Sequence, residues 1–357
     1  VRKLAGDDVE IVFVGSPRGL EKELVPARGH RLELLDVEPM KGGGLRRAVR
    51  GAFVAARATW RARALVAKLA PAVVLSVGGY AAGPMALAAA LMGVPVAILE
   101  PNGVLGLANR LLAPFAKRAY VAWPSASARL SARIVRPMGV PLREGFVAMP
   151  YRAQRDASKP MSVLVMGGSQ GAKALNEVMP DALVVVGERA PNLAVVHQCG
   201  GHRGEASAPQ DEVLRARYAK LGIRADVRPF LDDVAGALGR ADVVVSRSGA
   251  VTVAEIAAVG RAAIFVPFPF AADDHQRSNA EALSSVGGAV CLLQRDATSA
   301  RLGDEIAALL TSDARREAMA EVARGVGRPH AADDVAADLL RLANVPRAVI
   351  STVLEAR

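Results

Sequence analysis

The chain has 357 residues, is 52% apolar with only 4% aromatic residues, and carries a formal net charge of +10. Such a length suits two domains of ordinary size, and the composition excludes a disordered or fibrous protein. The basic excess fits a phosphorylated ligand or an anionic membrane face. A nucleic-acid partner is excluded, because no nucleic-acid motif is present and the aromatics are too few for stacking platforms.

In chain order, the charged opening VRKLAGDDVE has no apolar leader core. A first strand is expected at 9–14. Residues 42–69, GGGLRRAVRGAFVAARATWRARALVAKL, form a basic amphipathic helix. Arg46, Arg47, Arg50, Arg57, Arg61 and Arg63 have no acidic company there, and Leu45, Val49, Phe53 and Trp60 fall near helical spacing. This pattern suits a helix lying on an anionic leaflet or a core-packed helix with a solvated basic face. Residues 69–99 are uncharged and long enough to raise a membrane span, but Gly78, Gly79, Gly83, Pro84, Gly93 and Pro95 divide them into strand, turn, helix and strand.

Further strands are expected at 73–77, 96–99 and 119–122, and then at 161–166, 194–197, 226–229, 242–246 and 263–266, with helices between. Alternation of this kind predicts doubly wound parallel α/β sheets. An internal echo supports two similar halves. VVLSVGGYAAGP…GVPVAIL and VVVSRSGAVTVAEI…GRAAIFV share a plan of strand, serine, small turn, helix, glycine and strand. The expected division is 1–143, a linker over 144–160, a second domain over 161–330 and a C-terminal helix and tail over 331–357. The two cysteines, Cys199 and Cys291, make neither a disulfide framework nor a metal spacing and read as reduced, buried thiols.

The strongest local signal is VLVMGGSQGAKALN, 163–176, in which a strand runs through Gly167, Gly168, Ser169, Gln170 and Gly171 into a helix. Glycines let the backbone approach an anion closely, and first-turn N–H groups can point at it. The spacing is neither the dinucleotide fingerprint nor a P-loop. It disfavours an NAD-dependent oxidoreductase and suits a nucleotide diphosphate. Further on, SRSGAVTVAEIAAVG, 246–260, turns from strand into helix with Thr252 and Glu255 in the opening turns. Glu255 either complements the helix dipole or accepts hydrogen bonds from a ligand's hydroxyls. Asp232 and Asp233 are adjacent, so they diverge and read as a helix N-cap pair rather than metal ligands.

Together with GGYAAGP (78–84), GVPLR (139–143), FLDDV (230–234) and DHQRSNA (274–280), these two segments resemble the MurG family of N-acetylglucosaminyltransferases. The resemblance runs in order over nearly the whole chain. It implies a GT-B fold, two Rossmann-like domains facing a cleft, and inverting transfer of N-acetylglucosamine from UDP-N-acetylglucosamine. The implied acceptor is the C4 hydroxyl of undecaprenyl-diphospho-N-acetylmuramoyl-pentapeptide, used in peptidoglycan synthesis. No metal or other cofactor is implied. A peripheral place on the cytoplasmic face of the bacterial inner membrane is implied, and with it the membrane reading of the basic helix. The alternatives are a related GT-B lipid glycosyltransferase, for example with a diacylglycerol acceptor, or a donor-binding homologue without activity.

By the same resemblance Glu255 reads the ribose, and Ala250, Val251, Thr252, Val253 and Ala254 line the nucleotide's turn. Leu231 offers backbone to the uracil. Ser169 and Arg143 hold the phosphates, Arg143 with a fork suited to them. Gln276 reads sugar hydroxyls, and the neighbouring His275 is either a helper or structural. Asn102 is assigned to the donor. Glu100 orients or deprotonates the acceptor hydroxyl, although the family's flanking His and Gln are here Leu99 and Pro101. The family's opening strand and Gly-Gly-Thr-Gly-Gly-His loop are not in this sequence. A start codon placed too late, or a short first domain, accounts for that, and the chain as written is expected to be weakly active and less stable.

Overall fold

The computed structural model describes the chain except residues 7–8, 38–44, 80, 151–158, 169–170, 202–208 and 347–357; of 45–55 it describes the backbone alone. The chain divides into two units, Val1–Pro141 with His330–Arg357, and Leu142–Pro329.

The first unit runs α1 (Arg2–Ala5), β1 (Val12–Gly15), α2 (Glu21–Leu24), β2 (Arg31–Leu34), α3 (Leu45–Leu69), β3 (Val74–Ser76), α4 (Ala82–Leu91), β4 (Val96–Glu100), α5 (Leu107–Leu112), β5 (Arg118–Val121) and β6 (Val135–Pro137). β1 and β2 form a parallel pair, and a separate parallel sheet has the order β3-β4-β5-β6. Every residue of β4 is buried, which is why Val96–Leu99 reads as an unbroken apolar run rather than an alternation, with Glu100 closing it. Ala58, Ala62 and Val66 of α3, spaced by four, pack with Met85, Ala86 and Ala89 of α4. Small residues on both sides let the two helices approach closely.

The second unit contains β7 (Met161–Met166), α6 (Lys173–Arg189), β8 (Leu193–Gln198), α7 (Gln210–Lys220), β9 (Ala225–Arg228), α8 (Val234–Arg240), β10 (Val243–Ser246) and α9 (Ala250–Val259). It continues through β11 (Ala262–Phe265), α10 (His275–Ser284), β12 (Val290–Cys291), α11 (Ser299–Leu310) and α12 (Asp313–Val326). Its six strands are parallel in the order β12-β11-β10-β7-β8-β9. Val163, Val165, Val243, Val245 and Ile264 meet Leu175, Met179, Leu302 and Ile306 in one core. A final helix, α13 (Ala331–Leu342), belongs to the first unit. There Asp338 accepts from the buried Tyr120 hydroxyl at 3.0 Å and from Arg118 Nε at 3.1 Å.

The two halves of the internal echo are β3-α4-β4 and β10-α9-β11, each closing on a parallel pair. β2, β6 and β12 were not expected from sequence. They have two to four residues and stand at sheet edges, too short to show a period. The division also falls earlier than expected, at Pro141, and the tail helix joins the first unit instead of standing alone. Residues 142–149 are anchored to the second unit: Phe146 is buried, Met149 N–H donates to Val259 O (3.2 Å), and Arg261 Nη1 donates to Met149 O (3.1 Å). Of the rest of the expected linker, residues 151–158 lie outside the described residues.

Candidate functional site

In the second unit the strand order reverses between β7 and β10. The chain leaves β7 toward β8 and β9, then returns to β10 on the other side. Loops leaving two such neighbours part in opposite directions and open a crevice at their C-terminal ends, where ligands of parallel α/β sheets bind. Met166 and Ser246 are register partners at the ends of these strands. The glycine loop and the Arg247–Gly249 turn therefore emerge side by side, each leading into a helix.

The glycine loop lies against the end of β8. Gly167 N–H donates to Gln198 O (3.0 Å) and Gly171 N–H to Gly168 O (3.0 Å). A Cβ on Gly171 would stand 2.4 Å from Cys199 O, and one on Gly167 would stand 2.8 Å from Ala172 N. Gly168 and Gly171 have φ of 75° and 70°. These glycines are needed for backbone conformation, for contact distance, or for both. Ser169 and Gln170 lie outside the described residues. The N-cap residues of α6 and α9, Ala172 and Gly249, have no side chain able to cap, so first-turn N–H groups remain available to an anion.

Glu255 is the sixth residue of α9 and is buried, 6% exposed. The helix dipole fades within the first turn, so it does not account for an acid there. Burial pushes the Glu255 carboxyl upward, opposed by the Arg143 guanidinium, whose Nη2 lies 3.5 Å from Oε1. Arg143 is exposed and also stands over the Phe146 ring, 5.6 Å from its centroid. Thr252 is half-buried and Val251 exposed, whereas Val253 is wholly buried and its N–H already donates to Gly249 O. Val253 is thus packed among the helices that surround α9, α8, α10 and α12. Ala250 and Ala254 are half-buried at the same turns, and Leu231 lies in the loop between β9 and α8. Asp233 caps α8, accepting from Gly236 N–H at 2.7 Å.

Helix α10, and through it the loop after β11, is tied to the same turn. Ser248 Oγ donates to Gln276 O (2.7 Å), and Asn279 Nδ2 donates to Ser248 O (3.0 Å). Gln276 Oε1 accepts from Phe268 N–H (3.0 Å), which leaves its amide nitrogen as the donor it can offer a sugar. His275 Nδ1 is 2.6 Å from Ala272 O and so carries a proton toward that carbonyl, a local turn contact. Arg247, not singled out from sequence, donates to Val266 O (2.9 Å) and Gln294 Oε1 (2.7 Å) and shapes this loop. An arginine just after the last strand residue was the available signal.

In the first unit Glu100 ends β4 at 3% exposure. Its Oε1 accepts from Asn102 N–H (3.1 Å) and Asn102 Nδ2 (3.0 Å), and its Oε2 from Gly106 N–H (2.8 Å) and Asn109 Nδ2 (3.0 Å). Four donors hold this carboxylate, so one must leave before it can take a proton from a hydroxyl. The geometry gives Glu100 the part of organising its loop. Asn109, which also donates to Leu99 O (2.9 Å), went unnoticed because a helical asparagine has no distinctive spacing. Asn102 belongs to this unit, and the other donor-side residues to the second. On α3, Trp60 is 75% exposed and Arg57 is exposed, while the side chains of Arg46, Arg47, Arg50 and Phe53 lie outside the described residues. α5 adds an exposed stripe, Leu107 and Leu111, followed by Phe115.

Comparison with known proteins agrees with this arrangement. The glycosyltransferase family 28 N-terminal domain matches residues 1–121, and the family 28 C-terminal domain matches residues 162–335. A Sorangium cellulosum protein described as UDP-N-acetylglucosamine–N-acetylmuramyl-(pentapeptide) pyrophosphoryl-undecaprenol N-acetylglucosamine transferase is 51% identical over 97% of this chain and 84% of its own length. A Pseudomonas fluorescens protein of the same description is 41% identical over 93% of this chain and 90% of its own length. The crystal structure of Acinetobacter baumannii MurG superposes with a TM-score of 0.80 at 32% identity, covering 95% of this chain and 93% of that one. UDP-GlcNAc 2-epimerase of Neisseria meningitidis, at 10% identity and a TM-score of 0.60, shares the fold alone. The chain belongs to glycosyltransferase family 28 and, within it, to the MurG family.

Proposed function

We infer that the protein transfers N-acetylglucosamine from UDP-N-acetylglucosamine to the C4 hydroxyl of undecaprenyl-diphospho-N-acetylmuramoyl-pentapeptide, with inversion at the sugar carbon. One observation carries the donor side. Two helix N-termini open side by side at the switch point of the second unit, with buried Glu255 and the Arg143 fork beside one of them. Glu255 accepts from the ribose hydroxyls. The diphosphate takes the first-turn N–H groups of α6 and α9, and Gln276 donates its amide N–H to the sugar.

In the transfer, the acceptor oxygen forms a bond to the anomeric carbon as the bond from that carbon to the β-phosphate oxygen breaks. The hydroxyl proton passes to water, and UDP departs with the electron pair of the broken bond. Negative charge grows on the departing diphosphate, and fixed N–H dipoles aimed at it stabilise that charge without reorganising. Arg143, which faces Glu255 in this structure, supplies the mobile positive charge.

The membrane side of the reading places the protein peripherally on the cytoplasmic face of the inner membrane, with α3 against anionic lipid. Among the described residues no helix is long and apolar enough to cross a membrane. Exposed Trp60 and Arg57 on α3 support surface binding instead. Calorimetry with UDP-N-acetylglucosamine, UDP and NAD tests the donor; tight NAD binding without UDP binding would refute it. Sedimentation with vesicles tests the membrane face. Trp60→Ala should lower the fraction bound to anionic vesicles several-fold, and unchanged binding, insensitive to salt, would refute that part.

A further inference from the structure

Behind the glycine loop lies a chain of buried polar groups to which the transfer reaction assigns no part. Asn176, in the first turn of α6, is 3% exposed; His197 of β8 is 0%, Cys199 2% and Tyr218 of α7 1%. Asn176 Nδ2 donates to Cys199 O at 3.0 Å, and Asn176 Oδ1 lies 3.1 Å from His197 Nε2. His197 Nδ1 lies 2.8 Å from the Tyr218 hydroxyl.

The direction of every bond in this chain follows from one fixed point. A backbone carbonyl only accepts, so the amide nitrogen of Asn176 must face Cys199 O. Its oxygen then faces His197 Nε2, which must carry the ring proton. Nδ1 is left as an acceptor for the Tyr218 O–H. Burial holds the imidazole neutral, its pKa pushed down to about 4. Burial also pushes the Tyr218 hydroxyl up, keeping it a donor. The Cys199 carbonyl is the one against which Gly171 rests, and the neighbouring Gln198 carbonyl receives Gly167 N–H. His197 pairs in register with Val165, two residues before the loop.

We propose that His197 and Tyr218 are positioning residues for the donor's diphosphate: through Asn176 they hold the end of β8 at the height on which the glycine loop is seated. Neither touches the ligand. Their effect is to preset the loop's N–H groups, so that binding a diphosphate costs no rearrangement. This inference rests on the donor reading given above.

Uridine and UDP separate a positioning role from simple support of the fold, because only UDP carries the phosphates the loop would hold. Calorimetry on the full chain compares wild type, Tyr218→Phe, His197→Asn and Val186→Ala. The last is a control in the same core at the far end of α6. Tyr218→Phe removes one hydroxyl at nearly constant volume and strands His197 Nδ1. UDP affinity should fall five- to twenty-fold in Tyr218→Phe and at least as much in His197→Asn. Uridine affinity should stay within twofold, and Val186→Ala should leave both unchanged. Should His197→Asn fail to fold, the Tyr218→Phe ratio alone decides. Equal losses for uridine and UDP, or unchanged UDP affinity, would overturn the proposal while leaving the donor reading intact. Wild-type protein with no preference for UDP over uridine would overturn both.

Discussion

Glu255→Gln separates what the site does for a ligand from what it costs the fold. The change keeps size and shape but removes a charge buried beside Arg143. At 3.5 Å, Coulomb attraction is about 1 to 5 kcal/mol for effective dielectric constants of 80 down to 20. Arg143 is 72% exposed, which sets the pair near the bottom of that range, about 1 kcal/mol or less. Desolvation is the larger influence on Glu255, since its carboxyl is pushed up despite the guanidinium. Its pKa is thus higher folded than unfolded. The stability this group contributes is full below the ordinary carboxylate range and is lost as pH rises through the folded value. Glutamine does not titrate, so the variant should match wild type in acid and exceed it at neutral pH. Ligand affinity should move the other way. Hydrogen bonds to a charged acceptor are worth about 1 kcal/mol more than neutral ones, so two ribose hydroxyls lost to a neutral amide predict UDP binding roughly ten- to a hundred-fold weaker. Urea unfolding at pH 3.5 and pH 8, with calorimetry of UDP at pH 8, reads both. A variant less stable than wild type at pH 8, or one with wild-type UDP affinity, would refute the reasoning.

Gly168→Ala and Gly171→Ala should differ, because both glycines have positive φ but only Gly171 has a carbonyl in the way of a Cβ. The first should cost about 1 kcal/mol of stability, and the second about 1–3 kcal/mol more together with at least ten-fold in UDP affinity; equal effects would argue against the loop's seat on β8. Asp338→Ala should leave the Tyr120 hydroxyl buried without its acceptor and lower the stability of the first unit by about 2–3 kcal/mol. Both tryptophans, Trp60 and Trp123, lie in that unit, so intrinsic fluorescence during urea unfolding reports it selectively, and an unshifted midpoint would refute the anchor.

Much of this protein could be read from local pattern. A strand covered on both faces is mostly apolar, so Val96–Leu99 of β4, Val163–Met166 of β7 and Val243–Val245 of β10 announced themselves, whereas β2, β6 and β12 stand at edges where short, half-covered strands leave no period. The glycine loop was legible because glycine meets its positive φ values and close contacts at the least cost. The buried relay was not, because Asn176, His197 and Tyr218 come from three elements and their spacing in the chain means nothing until α7 packs against α6 and β9. Glu100 was legible as a polar residue at a strand end, but its four donors come from a loop and a helix whose path no local pattern records.

By itself the sequence determined the alternation of strand and helix, the places where glycine must stand, and membership of the MurG family, since each depends on residues near one another in the chain. Tertiary structure alone decided that β7 and β10 are neighbours, that Arg143 faces Glu255, and that α13 returns to the first unit. Those outcomes depend on which apolar faces bury each other and which buried polar groups find partners, a competition among segments distant in sequence.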